Sequence, residues 1–157
     1  MLAALLLNTA AAGTFEVTLD AARDKLIDGD LATAAGYIRA ARSYAPESPD
    51  VLEADQLARI WLYRGMIASM LGEDEDEVMD LWRQSFVVDP DIQWDEAAMA
   101  NGPARDLFEA LRQEVQGRPR VDAKIPEKVG AAKLYVNGGK RIFGDGVREG
   151  EHLAQIE

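Results

Sequence analysis

The feature that most constrains this chain is an apolar pattern that occurs twice, 44 positions apart. The equivalent pairs are Ala34 and Val78, Ile38 and Trp82, Ala41 and Ser85, and Pro46 and Pro90. Side chains at the first three positions share one face of a helix, and proline ends a helix because it lacks an N–H donor. The pattern therefore predicts a repeated helical unit.

Apolar residues at helical spacing predict that each copy is the second helix of an antiparallel hairpin. The four helices are expected over residues 19–27, 31–45, 57–71 and 73–90. Thr18 is the expected N-cap of the first helix, and Gly29 and Gly72 are expected stops. A connection of a few residues leaves the two helices of a pair no arrangement but antiparallel packing. The predicted core residues of the third helix are Leu57, Trp61, Gly65, Ala68 and Met70.

The chain after the second hairpin predicts further helical structure. Residues 95–100 are expected to form a short helix, and Pro103 suits the first turn of a helix over residues 104–116. The apolar stripe of that last helix is predicted to comprise Leu107, Phe108, Leu111 and Val115. A helix with one apolar and one polar face can cap the end of a stacked array.

The second-helix pattern and the helix before it together resemble the tetratricopeptide repeat family. The matching residues of the preceding helix are Trp61-x2-Arg64-Gly65-x2-Ala68. The resemblance covers residues 15–91 and implies a mainly α fold in which antiparallel helix hairpins stack as an array. Arrays of this kind are interaction scaffolds far more often than enzymes, so the expected partner is an unidentified protein or peptide.

The partner-binding surface is predicted on the first helix of each pair, on the flank opposite its apolar stripe. The predicted contacts there are Arg23, Lys25, Arg59, Tyr63 and Arg64. Trp61 and Trp82 fall at packing positions of the repeat. Trp94 lies in the connector that follows the second hairpin, so it is predicted to be an aromatic contact at the surface.

The N-terminal end differs from the helical repeat domain, which is predicted over residues 14–116. Residues 1–13 form a short apolar run with small residues at Ala10 and Ala12, which is typical of a signal-peptide remnant. The run is shorter than a membrane span requires, and it predicts a periplasmic or exported protein. The alternative interpretation is a first helix that packs on the core, which would favour a cytoplasmic protein.

The C-terminal end predicts β structure. Residues 117–130 are expected to form a linker, and residues 131–157 combine alternating apolar residues with a strong turn signal at 137–139. This segment resembles the PEGA family of small β domains in bacterial cell-envelope and surface proteins. The matching residues are Tyr135-Val136-Asn137-Gly138 and Gly150-Glu151-His152. The resemblance implies a short C-terminal β-hairpin or meander that is part of such a domain.

Composition excludes several classes of function. The chain has 28 acidic and 17 basic residues and a formal net charge of −11. Nucleic acids and anionic lipid headgroups both attract basic proteins, so neither is an expected partner. There is no cysteine, and His152 is the single histidine, which cannot build a zinc site by itself. The sequence therefore predicts no catalytic set, no cofactor and no metal site, and carboxylate pairs such as Asp95 and Glu96 carry little information in so acidic a chain.

Two functions from different classes follow. The first is a non-enzymatic protein–protein interaction scaffold of the bacterial cell envelope, in which the helices bind the partner. The alternative is a carbohydrate- or peptidoglycan-binding module that acts through the β tail, with the helices as a spacer. In that alternative the cell-wall contacts would be Tyr135, Asn137 and Trp94.

Overall fold

The structure is a computed structural model that describes residues 3–48 and 51–118, together with short strand segments between residues 121 and 156. The described chain is mainly helical, as predicted. Its α-helices are α1 (Ala3–Ile27), α2 (Leu31–Tyr44), α3 (Ala54–Leu71), α4 (Glu75–Val88) and α5 (Pro103–Gln116), with one 3-10 turn at Ala45–Glu47.

The first hairpin consists of α1 and α2. The chain reverses at Gly29, whose φ of 76° is accessible to glycine at little steric cost. Asp30 then caps α2 by accepting a hydrogen bond from the backbone N–H of Thr33 at 3.2 Å. The expectation that Thr18 caps the first helix is wrong, because α1 continues without a break through this position.

The second hairpin consists of α3 and α4 and reverses by the same means. Gly72 has a φ of 71° and donates its N–H to carbonyls of the last turn of α3. Asp74 caps α4 by accepting a hydrogen bond from the N–H of Asp76 at 2.9 Å. The two capping residues, Asp30 and Asp74, are separated by the same interval as the apolar pattern, so both copies share the chemistry of the turn as well as that of the buried face.

The predicted inner faces of α2 and α4 are confirmed. Every helical position of the repeated pattern is buried: Ala34, Ile38, Ala41, Val78, Trp82 and Ser85. The prediction for α3 is correct in part, because Leu57, Gly65 and Ala68 are buried while Trp61 is half-buried. Met70 was predicted to pack in the core and is 37% exposed, since it lies in the last turn of α3, close to solvent at Gly72.

The connector between α4 and α5 is irregular. The expected helix over residues 95–100 is wrong: Asp95 instead begins a single turn, in which its carbonyl accepts the N–H groups of Ala98 and Met99. The helix predicted to follow is confirmed as α5, with Pro103 in its first turn. Its buried residues are Phe108, Leu111 and Val115, and Leu107 packs at the edge of the core.

The described segments after residue 118 are short strands of two or three residues: β1 (Val121–Asp122), β2 (Leu134–Val136), β3 (Gly139–Lys140), β4 (Gly146–Val147) and β5 (Ala154–Ile156). β1 pairs with β4, and β2 pairs with β3 and β5, all antiparallel. Asn137 and Gly138, which carry the predicted turn, lie outside the described residues, as does most of the predicted linker. These fragments do not establish the expected β module, which stays a prediction.

Helix α1 includes most of the N-terminal apolar run, from Ala3 onward. A helix over this run is compatible with both interpretations. The signal-peptide interpretation of residues 1–13 stays a prediction, as does the compartment it implies. Within the part of the chain that the structure describes, no helix combines the length and the apolar character that crossing a bilayer requires.

The contact between Gly65 of α3 and the indole of Trp82 of α4 gives the first testable prediction. A Cβ atom added at Gly65 would lie within 2.5 Å of Cδ1 of Trp82, a side chain with no solvent exposure. We expect Gly65→Ala to lower the free energy of unfolding by about 1–3 kcal/mol, because the added methyl group would overlap the indole and force the packed side chain or the helix backbone to shift. Urea denaturation followed by circular dichroism measures this change.

The matched control is Gly36→Ala in the interior of α2. A Cβ there would meet only the end of the Arg39 side chain, at 4.0 Å. Alanine should then stabilise the protein by about 0.5–1 kcal/mol through its higher helix propensity. Equal effects of the two substitutions would contradict the close packing of Trp82 on Gly65.

Candidate functional site

The candidate site is a pocket of about 510 Å³ between α1, α3 and the connector, here called the connector pocket. Its lining contains four of the six predicted partner contacts: Arg23, Arg59, Tyr63 and Trp94. Its acidic lining residues are Asp55, Asp89, Asp91, Asp95 and Glu96. The pocket is therefore lined by five carboxylates and two guanidinium groups, and its net charge is negative.

Asp95 is the centre of the hydrogen-bond network in the connector pocket. Arg23 donates to both of its carboxylate oxygens, from Nε at 2.5 Å and from Nη2 at 3.2 Å. The hydroxyl of Tyr63 donates to Oδ2 at 3.0 Å. The backbone N–H groups of Ala97 and Ala98 donate to Oδ1, both at 3.2 Å. One carboxylate thus joins α1, α3 and the connector.

This network moves the pKa values of its members away from neutrality. Burial on its own would raise the pKa of Asp95, but hydrogen bonds from Arg23, Tyr63 and Ala98 outweigh it, and the pKa lies below its ordinary value. Burial, followed by the negative charge of Asp95, raises the pKa of Tyr63 far above its ordinary value. At physiological pH Asp95 is ionised and Tyr63 is a neutral donor.

Arg59 forms a second link between α1 and α3. Its Nη2 donates to Glu16 at 3.2 Å and lies 3.4 Å from Asp55. Gln56 donates to the other oxygen of Glu16 at 2.8 Å. The guanidinium is therefore held by carboxylates of two helices, while its buried Nε has no hydrogen-bond partner among the described residues.

Three further carboxylates of the pocket are in no ion pair with a described residue. Asp89, Asp91 and Glu96 form no ion pair within the described ranges. Burial raises the pKa of Asp89, and the neighbouring charges of Asp91 and Asp55 raise it further. A hydrogen bond from the Asp91 N–H and the positive charge of Arg112 oppose them. A cation placed here would relieve the repulsion that these carboxylates exert on one another.

Trp94 lies at the edge of the pocket and is half-buried rather than fully on the surface. Its indole N–H donates to the carbonyl of Met99 at 2.9 Å. Its ring centroid lies 5.6 Å from that of Trp82 and 5.2 Å from that of Phe108. Packing thus fixes the orientation of the indole, and the part that stays exposed forms one wall of the pocket.

The structure separates the predicted contacts into two groups. Arg23, Arg59, Tyr63 and Trp94 meet in the connector pocket, although Tyr63 is only 2% exposed, so its predicted position on an open flank is wrong. Lys25 lies outside the pocket and pairs with Asp28 at 3.0 Å. Arg64 lies outside it as well and is positioned over the Trp61 ring, with 5.9 Å from Cζ to the ring centroid.

Sequence reasoning missed Asp95 as a binding-site residue. The pair of Asp95 and Glu96 was visible in the sequence, but its meaning depends on Arg23, which is 72 positions away. The described part of the chain contains no cluster of three or more His, Cys, Asp or Glu side chains that could hold a metal ion. The predicted absence of a metal, a cofactor and a catalytic set stays a prediction for the chain as a whole.

The contacts of the alternative, cell-wall-binding function can be placed only in part. Tyr135 lies in β2, opposite Lys140 of β3 and Gln155 of β5. Asn137 is outside the described residues, and Trp94 belongs to the helical part. That function stays a prediction.

Comparison with known proteins identifies no relative: no family model, no curated protein and no solved structure matches this chain. The resemblances to tetratricopeptide repeats and to PEGA domains accordingly rest on the sequence patterns themselves.

The network around Asp95 gives the second prediction. We expect Asp95→Asn to lower the free energy of unfolding by about 1–2 kcal/mol at neutral pH, because it leaves the half-buried Arg23 without its bidentate partner. The folded-state pKa of Asp95 is depressed, so its contribution is complete above the unfolded pKa of about 4 and is lost as the pH falls through the folded value. Urea titrations over a pH series should show the difference between the variant and the parent shrinking below about pH 4.

The control is Asp28→Asn, which removes the carboxylate of an exposed ion pair with Lys25. Exposed pairs contribute little, so this change should stay within about 0.5 kcal/mol. A difference between Asp95→Asn and the parent that persisted unchanged at low pH would contradict the assignment.

Proposed function

We propose that this chain is a non-enzymatic protein–protein interaction scaffold of the bacterial cell envelope, and that it binds its partner at the connector pocket. The observation that carries the proposal is the convergence of Arg23, Arg59, Tyr63 and Trp94 on this pocket, beside three carboxylates that form no ion pair within the described ranges. These side chains come from two hairpin helices and the connector, so the surface exists only in the folded protein.

The charge of the pocket indicates the chemistry of the partner. Asp89, Asp91 and Glu96 offer acceptor oxygens that are in no ion pair with the described part of the chain, and the raised pKa of Asp89 reflects burial and the repulsion between neighbours. A lysine or arginine side chain of the partner would be attracted to these oxygens and would supply the missing charge-assisted hydrogen bonds. A basic segment of a protein or peptide fits this surface.

The pocket is organised before the partner binds. Asp95 is fixed by five hydrogen bonds, and Trp94 is held by its indole N–H and by aromatic packing. Side chains already held in place lose little conformational entropy on association, so more of the interaction energy appears as affinity. Arg and aromatic residues in such positions are typical of the centres of binding interfaces.

The pKa directions of Asp95 and Tyr63 favour a positioning role over acid–base catalysis for these two residues. General acid–base catalysis needs a group whose pKa lies near the working pH. The pKa of Asp95 lies below its ordinary value and that of Tyr63 lies well above, so neither gains or loses a proton near neutrality. Their network positions the connector instead.

The cell-envelope part of the proposal rests on the sequence. The apolar run at residues 1–13, with small residues near its end, favours export, and the PEGA-like residues in 131–157 favour the same compartment. Fractionation of cells that produce the full chain would test this part separately from the binding surface.

Site-specific photo-crosslinking tests the binding surface. A photoreactive amino acid at Gln93, an exposed residue of the pocket lining, should yield a discrete adduct in cells of the source organism. Asp89→Asn combined with Asp91→Asn should reduce that adduct roughly tenfold, because the partner loses charge-assisted hydrogen bonds. Quantitative mass spectrometry of the adduct measures the change.

Two controls accompany this experiment. The same photoreactive residue at Gln113, exposed on α5, should not give the adduct, and Asp106→Asn on the exposed side of α5 should leave the Gln93 adduct unchanged. Identical adducts from Gln93 and Gln113, or an adduct insensitive to the two pocket substitutions, would refute binding at the connector pocket.

A further inference from the structure

A second cavity, of about 460 Å³, lies between α2 and α3 on the other side of the helical domain, and we call it the arginine pocket. Three guanidinium groups belong to its lining: Arg39, Arg42 and Arg64. Its apolar lining comprises Ala35, Ile38, Ile67, Ala68 and Leu71. The pocket thus combines an apolar floor with a concentration of positive charge, in a chain whose formal net charge is −11.

Two arginines of this pocket, Arg39 and Arg64, differ from most arginines of the described chain. Those at positions 23, 59, 83, 112 and 118 each form an ion pair with a carboxylate. Arg39 and Arg64 form none within the described ranges. Arg39 and Arg64, like Arg105 on α5, are thus in no ion pair within the described part of the chain, although the sequence has a large excess of acidic residues.

Trp61 positions two of these guanidinium groups. Cζ of Arg42 lies 4.8 Å from the centroid of the Trp61 ring, and Cζ of Arg64 lies 5.9 Å from it. A guanidinium above an aromatic face is attracted by the ring quadrupole. The indole thereby attracts guanidinium groups of both α2 and α3, and both groups belong to the lining of the arginine pocket.

The floor of the arginine pocket is apolar and partly open to solvent. Leu71 is 57% exposed although it adjoins the buried residues Ile38, Ile67 and Ala68 in the lining. A ligand with an apolar body would remove this surface from water, which is favourable in proportion to the area covered. Glu73 is the one carboxylate of the lining, and it is exposed, as are Arg39 and Arg64.

We propose that the arginine pocket binds an amphipathic organic anion, with its carboxylate against Arg39 and Arg64 and its aliphatic body on the apolar floor. The cavity volume falls within the range of about 300–1,000 Å³ that is typical of small-molecule sites. Arginine is the residue that best matches a carboxylate, because its planar fork of donors can engage both oxygens. This site is separate from the connector pocket and does not depend on the function proposed for it.

Titration calorimetry of the full chain with three probes tests both parts of the proposal, the contact of an anionic head with the arginines and the contact of an aliphatic body with the apolar floor. Octanoate supplies both an anionic head and an apolar body, octylammonium supplies the same body with a cationic head, and acetate supplies the head alone. Octanoate should bind saturably, and the other two at least tenfold more weakly. Added salt should weaken the binding of octanoate, because the guanidinium groups of Arg39 and Arg64 are exposed to solvent and their charges are screened.

Substitutions of the exposed arginines of the pocket test where octanoate binds. Arg39→Ala and Arg64→Ala should each weaken octanoate binding roughly tenfold, the factor expected when one charge-assisted hydrogen bond is lost. Arg105→Ala is the matched control, because Arg105 is exposed on α5 and lies outside the arginine pocket. Arg39 and Arg64 are exposed, so circular dichroism should show that all three variants keep the parent's helicity.

Several results would overturn the proposal. Octylammonium binding as tightly as octanoate would show that the apolar floor acts without the arginines. Octanoate binding that survives both Arg39→Ala and Arg64→Ala would place the ligand elsewhere. Absence of saturable octanoate binding, or preferential binding of a glutamate-rich peptide that carries no aliphatic body, would exclude an amphipathic anion as the ligand of this site.

Discussion

The indole of Trp82 lies fully buried against Gly65, and its N–H points to the carbonyl of Leu62 at 3.4 Å. Only glycine allows α4 to present so large a side chain to the backbone of α3, since a Cβ at that position would overlap the ring. The indole also contacts Trp94 of the connector and Phe108 of α5, with ring centroids 5.6 and 5.9 Å away. One side chain thus determines the spacing of the second hairpin and the place where the following chain can pack.

The connector pocket is a consequence of this aromatic packing. Trp94 is fixed against Trp82, and Arg112 of α5 donates to the carbonyl of Ile92 at 2.7 Å while lying over the Phe86 ring. An irregular segment held at these two points places Asp95, the residue after Trp94, within reach of the first hairpin. Asp95 can then pair with Arg23, so packing inside the second hairpin controls the electrostatic link between the two hairpins.

The sequence predicted the parts of this arrangement that depend on local chemistry. Gly29 and Gly72 mark the hairpin turns because glycine adopts a positive φ at little steric cost. Pro103 marks the start of α5 because the first turn of a helix needs no N–H donor at that position. The inner faces of α2 and α4 followed from helical periodicity. Periodicity does not specify which distant groups meet, so the burial of Tyr63 and the role of Asp95 could not be obtained from it.

Helix α3 separates two surfaces of opposite charge. Arg59 and Tyr63 face the connector pocket with its carboxylates, whereas Arg64 and Ile67 line the arginine pocket. The net charge of −11 is an average over the molecule, and at physiological ionic strength an exposed charge is screened beyond about 8 Å. A ligand at the arginine pocket is therefore affected chiefly by the charges that line it, which are three guanidinium groups and the carboxylate of Glu73. The overall negative charge disfavours the binding of a polyanion that contacts a large part of the surface. It does not prevent a small anion from binding at a local cluster of arginines.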